Sequence, residues 1–201
     1  MLVIWFRPVI PLVFAQFGPF FVYVMALAVF PSLRASAGWA RPGRFAPQMF
    51  VVLAGLAAAV ALALVLWVHF SLVDLTPYRK SLAMKPGSSG VSTGLLIGLT
   101  ASVINALREE IMWRGVALDA LDAALGPGVW SVLIQGFHFG FAHYRGGFPN
   151  GISGALLASL FGIVLGALRR RTRGLLACTL AHVAADATIT VIVVFSLGAA
   201  R

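Results

Sequence analysis

The chain has 201 residues, of which 60% are apolar and only 10% charged, and its mean hydropathy is +0.96. A soluble domain carries about 25% charged residues, so an ordinary soluble enzyme, a disordered chain and a nucleic-acid-binding module are excluded. The net charge of +9 does not reopen the nucleic-acid reading, because the basic residues fall in short clusters between apolar runs, as in membrane loops.

Six apolar runs follow one another, and at ~20 residues per span they predict about six transmembrane helices. Backbone polar groups in hydrocarbon must be satisfied within the segment, which makes these runs helices. The expected fold class is therefore all-α, a polytopic membrane helix bundle forming a single integral membrane domain over 1–201. The first run, Val9 to Phe30, exceeds the usual ~7–15 residues of a signal-peptide core and reads as a span, although Ala26-Leu27-Ala28 resembles a cleavage site. The second, Met49 to Val73, holds His69 near its end, without polar companions at helical spacing, and that histidine reads as interfacial. The third runs from Gly94 to Trp113, the fourth from Val129 to His143, the fifth from Ile152 to Leu168 and the sixth from Leu175 to Leu197. The lone cysteine, Cys178, lies inside the last run, which excludes a disulfide framework and a thiolate metal site. Gly94/Gly98, Gly136/Gly140 and Gly162/Gly166 are small residues four apart that let helix backbones approach within the bundle.

Charge marks the connections. Arg34, Arg41 and Arg44 lie in the first, Arg79, Lys80 and Lys85 in the second, and Arg169, Arg170, Arg171 and Arg173 in the fifth. The positive-inside bias weakly places both termini outside and the Arg169–Arg173 cluster in the cytoplasm. Arginine outnumbers lysine 13 to 2 amid abundant Ala, Gly and Val. That composition points to a high-GC bacterial genome and hence to the bacterial cytoplasmic membrane.

Ionisable groups at membrane depth are costly and by default mark function. Five of the six acids fall in or beside the later runs. Arg108-Glu109-Glu110-Ile111-Met112-Trp113-Arg114-Gly115 closes the third run. Glu110 and Arg114 are four apart and face each other on a helix. Glu109 is turned ~100° away and lines up with Ser102 and Asn105. Arg114 then holds Glu110, leaving Glu109 as the candidate general base. In the fourth run, Gln135-Gly136-Phe137-His138-Phe139-Gly140-Phe141-Ala142-His143 puts Phe139 and His143 on one face; His138 reads as a packed group and His143 as functional. In the sixth, Thr179, His182 and Asp186 share a face, and Asp186 is expected to fix the tautomer of the His182 imidazole. Glu109 lies one to two turns, and His182 about two turns, from connections that share a side. A polar cavity is therefore expected to open toward the Arg169–Arg173 side.

These motifs resemble the CAAX protease and bacteriocin-processing family, also called CPBP or Abi intramembrane proteases. The pattern Glu-Glu-x-x-x-Arg stands as Glu109 to Arg114, Phe-x-x-x-His as Phe139 to His143, and His-x-x-x-Asn/Asp as His182 to Asp186. The resemblance covers about residues 92–190, the protease core; the first two runs are generic. It implies an intramembrane endopeptidase of the glutamic type, acting on a membrane-associated peptide or protein in the lipid bilayer. Glu109 would activate water, His143 would help hold it, His182 and Asp186 would line the oxyanion side, and Glu110 and Arg114 would order the site, with Asn105 and Phe139 supporting. Asp186 stands where eukaryotic prenyl-protein proteases have Asn, and an ionised Asp cannot donate a hydrogen bond to an oxyanion. No cofactor is implied. A zinc site built from two histidines and a carboxylate is the mechanistic rival, but no His-Glu-x-x-His pair is present. The rival class is a proton-coupled transporter, or a bacteriocin immunity or scaffold protein; transporters bury similar residues but usually show an inverted repeat, which this sequence lacks. No nucleic-acid partner is expected, and the oligomeric state is not encoded in any recognisable motif.

Overall fold

The computed structural model describes residues 9–44, 46–71, 88–146 and 148–199. Every regular element among them is helical. The chain divides into two compact units, 1–38 and 39–201. In the first, α1 (Val9–Val29) is followed at once by α2 (Pro31–Ser36). Pro31 sits at the start of α2, where its missing N–H and fixed φ are tolerated. The second half of α1 exposes Phe21, Val22 and Met25, as expected where lipid replaces water as solvent.

The second unit holds the remaining helices. They are α3 (Gln48–Ser71), α4 (Ser88–Glu110), a π-helical segment (Ile111–Ala117), α5 (Leu118–Leu125), α6 (Val129–Gly146), α7 (Gly151–Thr172) and α8 (Leu176–Ala199). α4, the π-helical segment and α5 form one continuous stretch, so the third apolar run continues as helix well past Trp113. It ends at Gly126, whose φ of 80° is a left-handed conformation that glycine adopts readily. Among the described residues, four helical stretches are long and apolar enough to cross a membrane: Gln48–Phe70, Gly90–Leu125, Gly151–Thr172 and Leu176–Phe195. α6, the fourth apolar run, has 18 residues but is not among them. Its Gln135, His138 and His143 lower its hydropathy, and His143 brings a titratable group to the interior of the bundle.

α6 packs most intimately on α7, and α4 on α8, with α3 also lying against α8. Small residues make both main contacts. A Cβ on Gly136 would run into Ile163, and one on Gly140 into Ser159 and the carbonyl of Ala155. Gly98 meets Thr190 of α8 in the same way. The glycine pairs thus serve packing inside the bundle, as the sequence predicts. Toward the Arg169–Arg173 end, Met49, Leu165, Leu168, Ala177, Cys178 and Ala181 form a buried core, with Leu53, Leu56 and Phe161 against it. Cys178 donates to the carbonyl of Leu165 at 3.3 Å, consistent with an unreactive packing role. The turn between α7 and α8 is closed by the segment before α3. Arg44 N–H donates to Thr172 O at 2.6 Å, and Leu175 N–H to Arg41 O at 3.2 Å. The backbones of Gly43 and Gly174 come so close there that neither position has room for a Cβ.

Replacing Gly140 by Leu should therefore force α6 off α7 and lower the thermal midpoint in detergent, an overpacking cost of ~1–3 kcal/mol. Gly55→Leu, at a position with nothing within 4 Å, should leave the midpoint within the error of the same thermal scan.

Candidate active site

The site begins with an ion pair that α4 and the π-helical segment build between them. Glu110 and Arg114 are both 0% exposed, and Arg114 Nη1 donates to Glu110 Oε1 at 2.7 Å. The segment beginning at Ile111 has i→i+5 geometry, whose wider turn is often found at functional positions. From it the Arg114 guanidinium lies over the Phe139 ring of α6, 4.4 Å from the centroid, and reaches the Gly162 carbonyl of α7 at 3.4 Å. Trp39 packs against Gly115, where a Cβ would stand 3.0 Å from the indole.

α8 adds His182, 3% exposed. Its Nδ1 lies 2.6 Å from Glu110 Oε1. Because a carboxylate oxygen only accepts, Nδ1 carries the proton and donates it. Glu110, rather than Asp186, therefore fixes the His182 tautomer, which corrects the expectation from the sequence. A long-range contact from α4 reaches the nitrogen that spacing within α8 alone assigns to Asp186. Asp186 Oδ1 stands instead 3.6 Å from Nε2. Glu109 Oε2 faces the same nitrogen at 3.7 Å. Phe139 and Phe161 hold the imidazole edge-on, with centroids 5.9 and 5.6 Å away.

The face of Ser102, Asn105 and Glu109 predicted from helical spacing is the one that packs on α8. Ser102 Oγ lies 3.2 Å from Thr190 Oγ1, and Asn105 Nδ2 donates to Asp186 Oδ2 at 3.0 Å. Arg108, which spacing did not single out, uses one nitrogen for two bonds. Its Nη2 donates to Glu109 Oε1 at 2.6 Å and to Asn105 Oδ1 at 2.8 Å. The three-residue step from Asn105 to Arg108 was the available signal, masked by the stronger Glu110/Arg114 pattern.

The His143 ring lies tilted against Phe139, with centroids 4.5 Å apart. Its Nδ1 lies 2.9 Å from the Phe139 carbonyl and so donates to it, which in the neutral ring leaves the lone pair on Nε2. His143, Phe139, His182 and Asp186 line one cavity of about 80 Å³. A water needs roughly 10–15 Å³, so the cavity has room for several. His138 is exposed beside Trp113, 6.3 Å between ring centroids, and takes no part in this cluster. His69, at the end of α3, contacts only Phe70 among the ring contacts found.

The cavity does not lie toward the end where the sequence suggests an opening. It is walled by Phe148, Pro149 and Leu157, at the end of α7 opposite the Arg169–Arg173 cluster. The reason is packing. Toward the basic end, the aromatic rings, the Glu110–Arg114 pair and the Leu165/Leu168/Cys178 core fill the interior. Arg170–Asp122 and Arg169–Asp119 pairs tie α5 to α7 at that end.

A histidine beside three carboxylates inside a membrane helix bundle marks a functional site. Residues 91–188 match the family model described as type II CAAX prenyl endopeptidase Rce1-like, a span that includes all three motifs. The match is consistent with the CAAX protease and bacteriocin-processing resemblance, and it supports a membrane-integral peptide hydrolase with a membrane-associated peptide as substrate. No curated protein and no solved structure matches the chain.

Arg114→Ala should strand Glu110 as an uncompensated buried charge, with only His182 left beside it, and should cost ~3–5 kcal/mol. A thermal midpoint in detergent that falls well below that of the parent protein is the expected result, with loss of ordered protein on size-exclusion chromatography in the extreme.

Proposed function

We propose that this chain is an intramembrane endopeptidase of the glutamic type, resident in a bacterial cytoplasmic membrane, in which Glu109 is the general base. One observation carries the reading. Glu109 Oε2 is buried, accepts no hydrogen bond among the described residues, and faces His182 Nε2 at 3.7 Å. That spacing suits a water lying against both atoms. Glu110 is the other carboxylate in reach, but it is 0% exposed and its Oε1 already holds Arg114 and His182. Glu109, with a side chain 15% exposed, is the one that water can approach.

The chemistry follows from these positions. Glu109 Oε2 takes a proton from the water as its oxygen bonds to the peptide carbonyl carbon. His143, with Nδ1 committed to Phe139 O, offers its Nε2 lone pair to help hold that water. The carbonyl oxygen gains the charge, and His182 protonated at both nitrogens donates Nε2–H to it. Asp186 acts as an acceptor, since the Asn105 amide donates to it; it serves the oxyanion side through His182 rather than by donating a bond itself. The tetrahedral intermediate collapses by breaking the C–N bond, and Glu109 returns its proton to the leaving amine. The residues 92–190 form the protease core in this reading.

The donor set supports a metal-independent reaction. Among the described residues no three His, Cys, Asp or Glu side chains converge as metal ligands do.

Cleavage of a membrane-reconstituted test peptide by purified protein measures the central assignment. Glu109→Gln should keep the thermal midpoint and lower kcat by about 10²-fold or more; wild-type turnover in that variant would sink the assignment. Incubation with a strong chelator should leave the rate unchanged, whereas inhibition that added Zn²⁺ reverses would make the enzyme a metalloprotease.

A further inference from the structure

Four polar side chains form a chain of hydrogen bonds around the Nε2 edge of His182. It runs from Glu109 Oε1 to Arg108 Nη2 at 2.6 Å, from the same nitrogen to Asn105 Oδ1 at 2.8 Å, and from Asn105 Nδ2 to Asp186 Oδ2 at 3.0 Å. Its two ends, Glu109 Oε2 and Asp186 Oδ1, meet again at His182 Nε2, 3.7 and 3.6 Å away. Arg108 is the only cation in this chain, and it determines two orientations at once. By donating to Asn105 Oδ1 it obliges the amide to present Nδ2 to Asp186, since an amide oxygen cannot donate. By holding Glu109 Oε1 it leaves Oε2 as the oxygen facing His182.

Charge gives Arg108 a second task. Glu109 pairs with Arg108 on α4 and faces His182 on α8; Glu110 and Asp186 reach the same imidazole, Arg114 on the π-helical segment pairs with Glu110, and His143 on α6 lines the cavity beside His182 and Asp186. Helices α3 and α7 bring no titratable side chain to the cavity among the described residues. Three carboxylates, Glu109, Glu110 and Asp186, are thus set against two arginines and the histidine. Arg114 is committed to Glu110, so Arg108 is the permanent charge that offsets Glu109 and, through Asn105, Asp186. Without it, two carboxylates would face one imidazole in low dielectric, where like charges resist ionising together.

We propose that Arg108 is a positioning residue of the active site: it aims Glu109 Oε2 and, through Asn105, Asp186 Oδ1 at the His182 edge, and sets a permanent positive charge beside the Glu109 carboxylate. This rests on Glu109 being the general base. Nothing in the Glu-Glu-x-x-x-Arg pattern includes Arg108, which stands one residue ahead of it.

The experiment measures kcat, KM and the pH profile of kcat/KM for peptide cleavage in proteoliposomes, with Glu109→Gln, Arg108→Gln and Arg108→Lys beside the parent protein. Arg108→Gln keeps hydrogen-bonding capacity and loses charge; Arg108→Lys keeps charge and loses the fork. Arg108→Gln should lower kcat near neutrality by roughly 10²-fold with little change in KM. It should also move the acidic limb of its profile upward by about one pH unit or more, the size of an opposite charge lost at this range. Arg108→Lys should return the acidic limb to the parent position and restore part of kcat. An unmoved acidic limb in Arg108→Gln, with Glu109→Gln inactive, would overturn the role of Arg108 and leave the general-base reading standing. Equal loss in both Arg108 variants at every pH, tracking a lowered thermal midpoint, would reduce Arg108 to a structural residue. Full activity in Glu109→Gln would remove the general-base reading and this inference with it.

Discussion

One oxygen atom organises the centre of this protein. Glu110 Oε1 accepts from Arg114 and from His182, and so ties α4, the π-helical segment and α8 together with three side chains no more than 3% exposed. In a bundle whose helices gain no hydrophobic advantage by leaving lipid for one another, packing and polar contacts of this kind decide how the helices associate. A charge buried this deeply persists only when its partners are in place. The Phe139 ring under Arg114 and the Gly162 carbonyl beside it complete the shell, bringing α6 and α7 into the same knot. The catalytic-type residues then hang from this knot: His182 directly, His143 through its ring contact with Phe139, and Glu109 as the next residue along α4.

The π-helical segment follows Glu110 immediately, at the point where the long third stretch changes from binding α8 to meeting α6 and α7. A wider turn there lets one continuous helix offer Glu109 and Glu110 to α8 and Arg114 to α6 and α7. Gly115 in the same turn admits the Trp39 indole. The end of the bundle near the Arg169–Arg173 cluster is thereby sealed by rings, aliphatic core and ion pairs. Space remains on the other side, by Phe148 and Pro149, which is why the cavity lies there. Filling one end in this way keeps the Glu110–Arg114 pair fully buried.

Much of this was legible in the chain alone. Composition and run lengths specify a helical membrane bundle, because a hydrocarbon solvent leaves the backbone no other way to satisfy its hydrogen bonds. Helical spacing separates Glu109 from Glu110, places Ser102, Asn105 and Glu109 on one face, and pairs Glu110 with Arg114. Each of these relations is local, spanning at most two turns, and helix geometry fixes it before any helix meets another. The glycine pairs were legible for the same reason, as faces where a Cβ would prevent close approach.

What the tertiary structure decided is everything that depends on which helices meet and how deep each sits. The partner of His182 is Glu110, 72 residues away in sequence, because α4 lies on α8 at that level; the Asp186 spacing within α8 could not reveal it. Arg108 acquires meaning only when Asn105 is seen to reach Asp186 across the same interface, 81 residues distant. The end at which the cavity lies follows from where large side chains from several helices fill the interior, a sum over volumes that residue spacing along one helix does not contain. Sequence fixes faces, because helix geometry is periodic and local; the meeting of faces is settled by close packing among segments far apart in the chain.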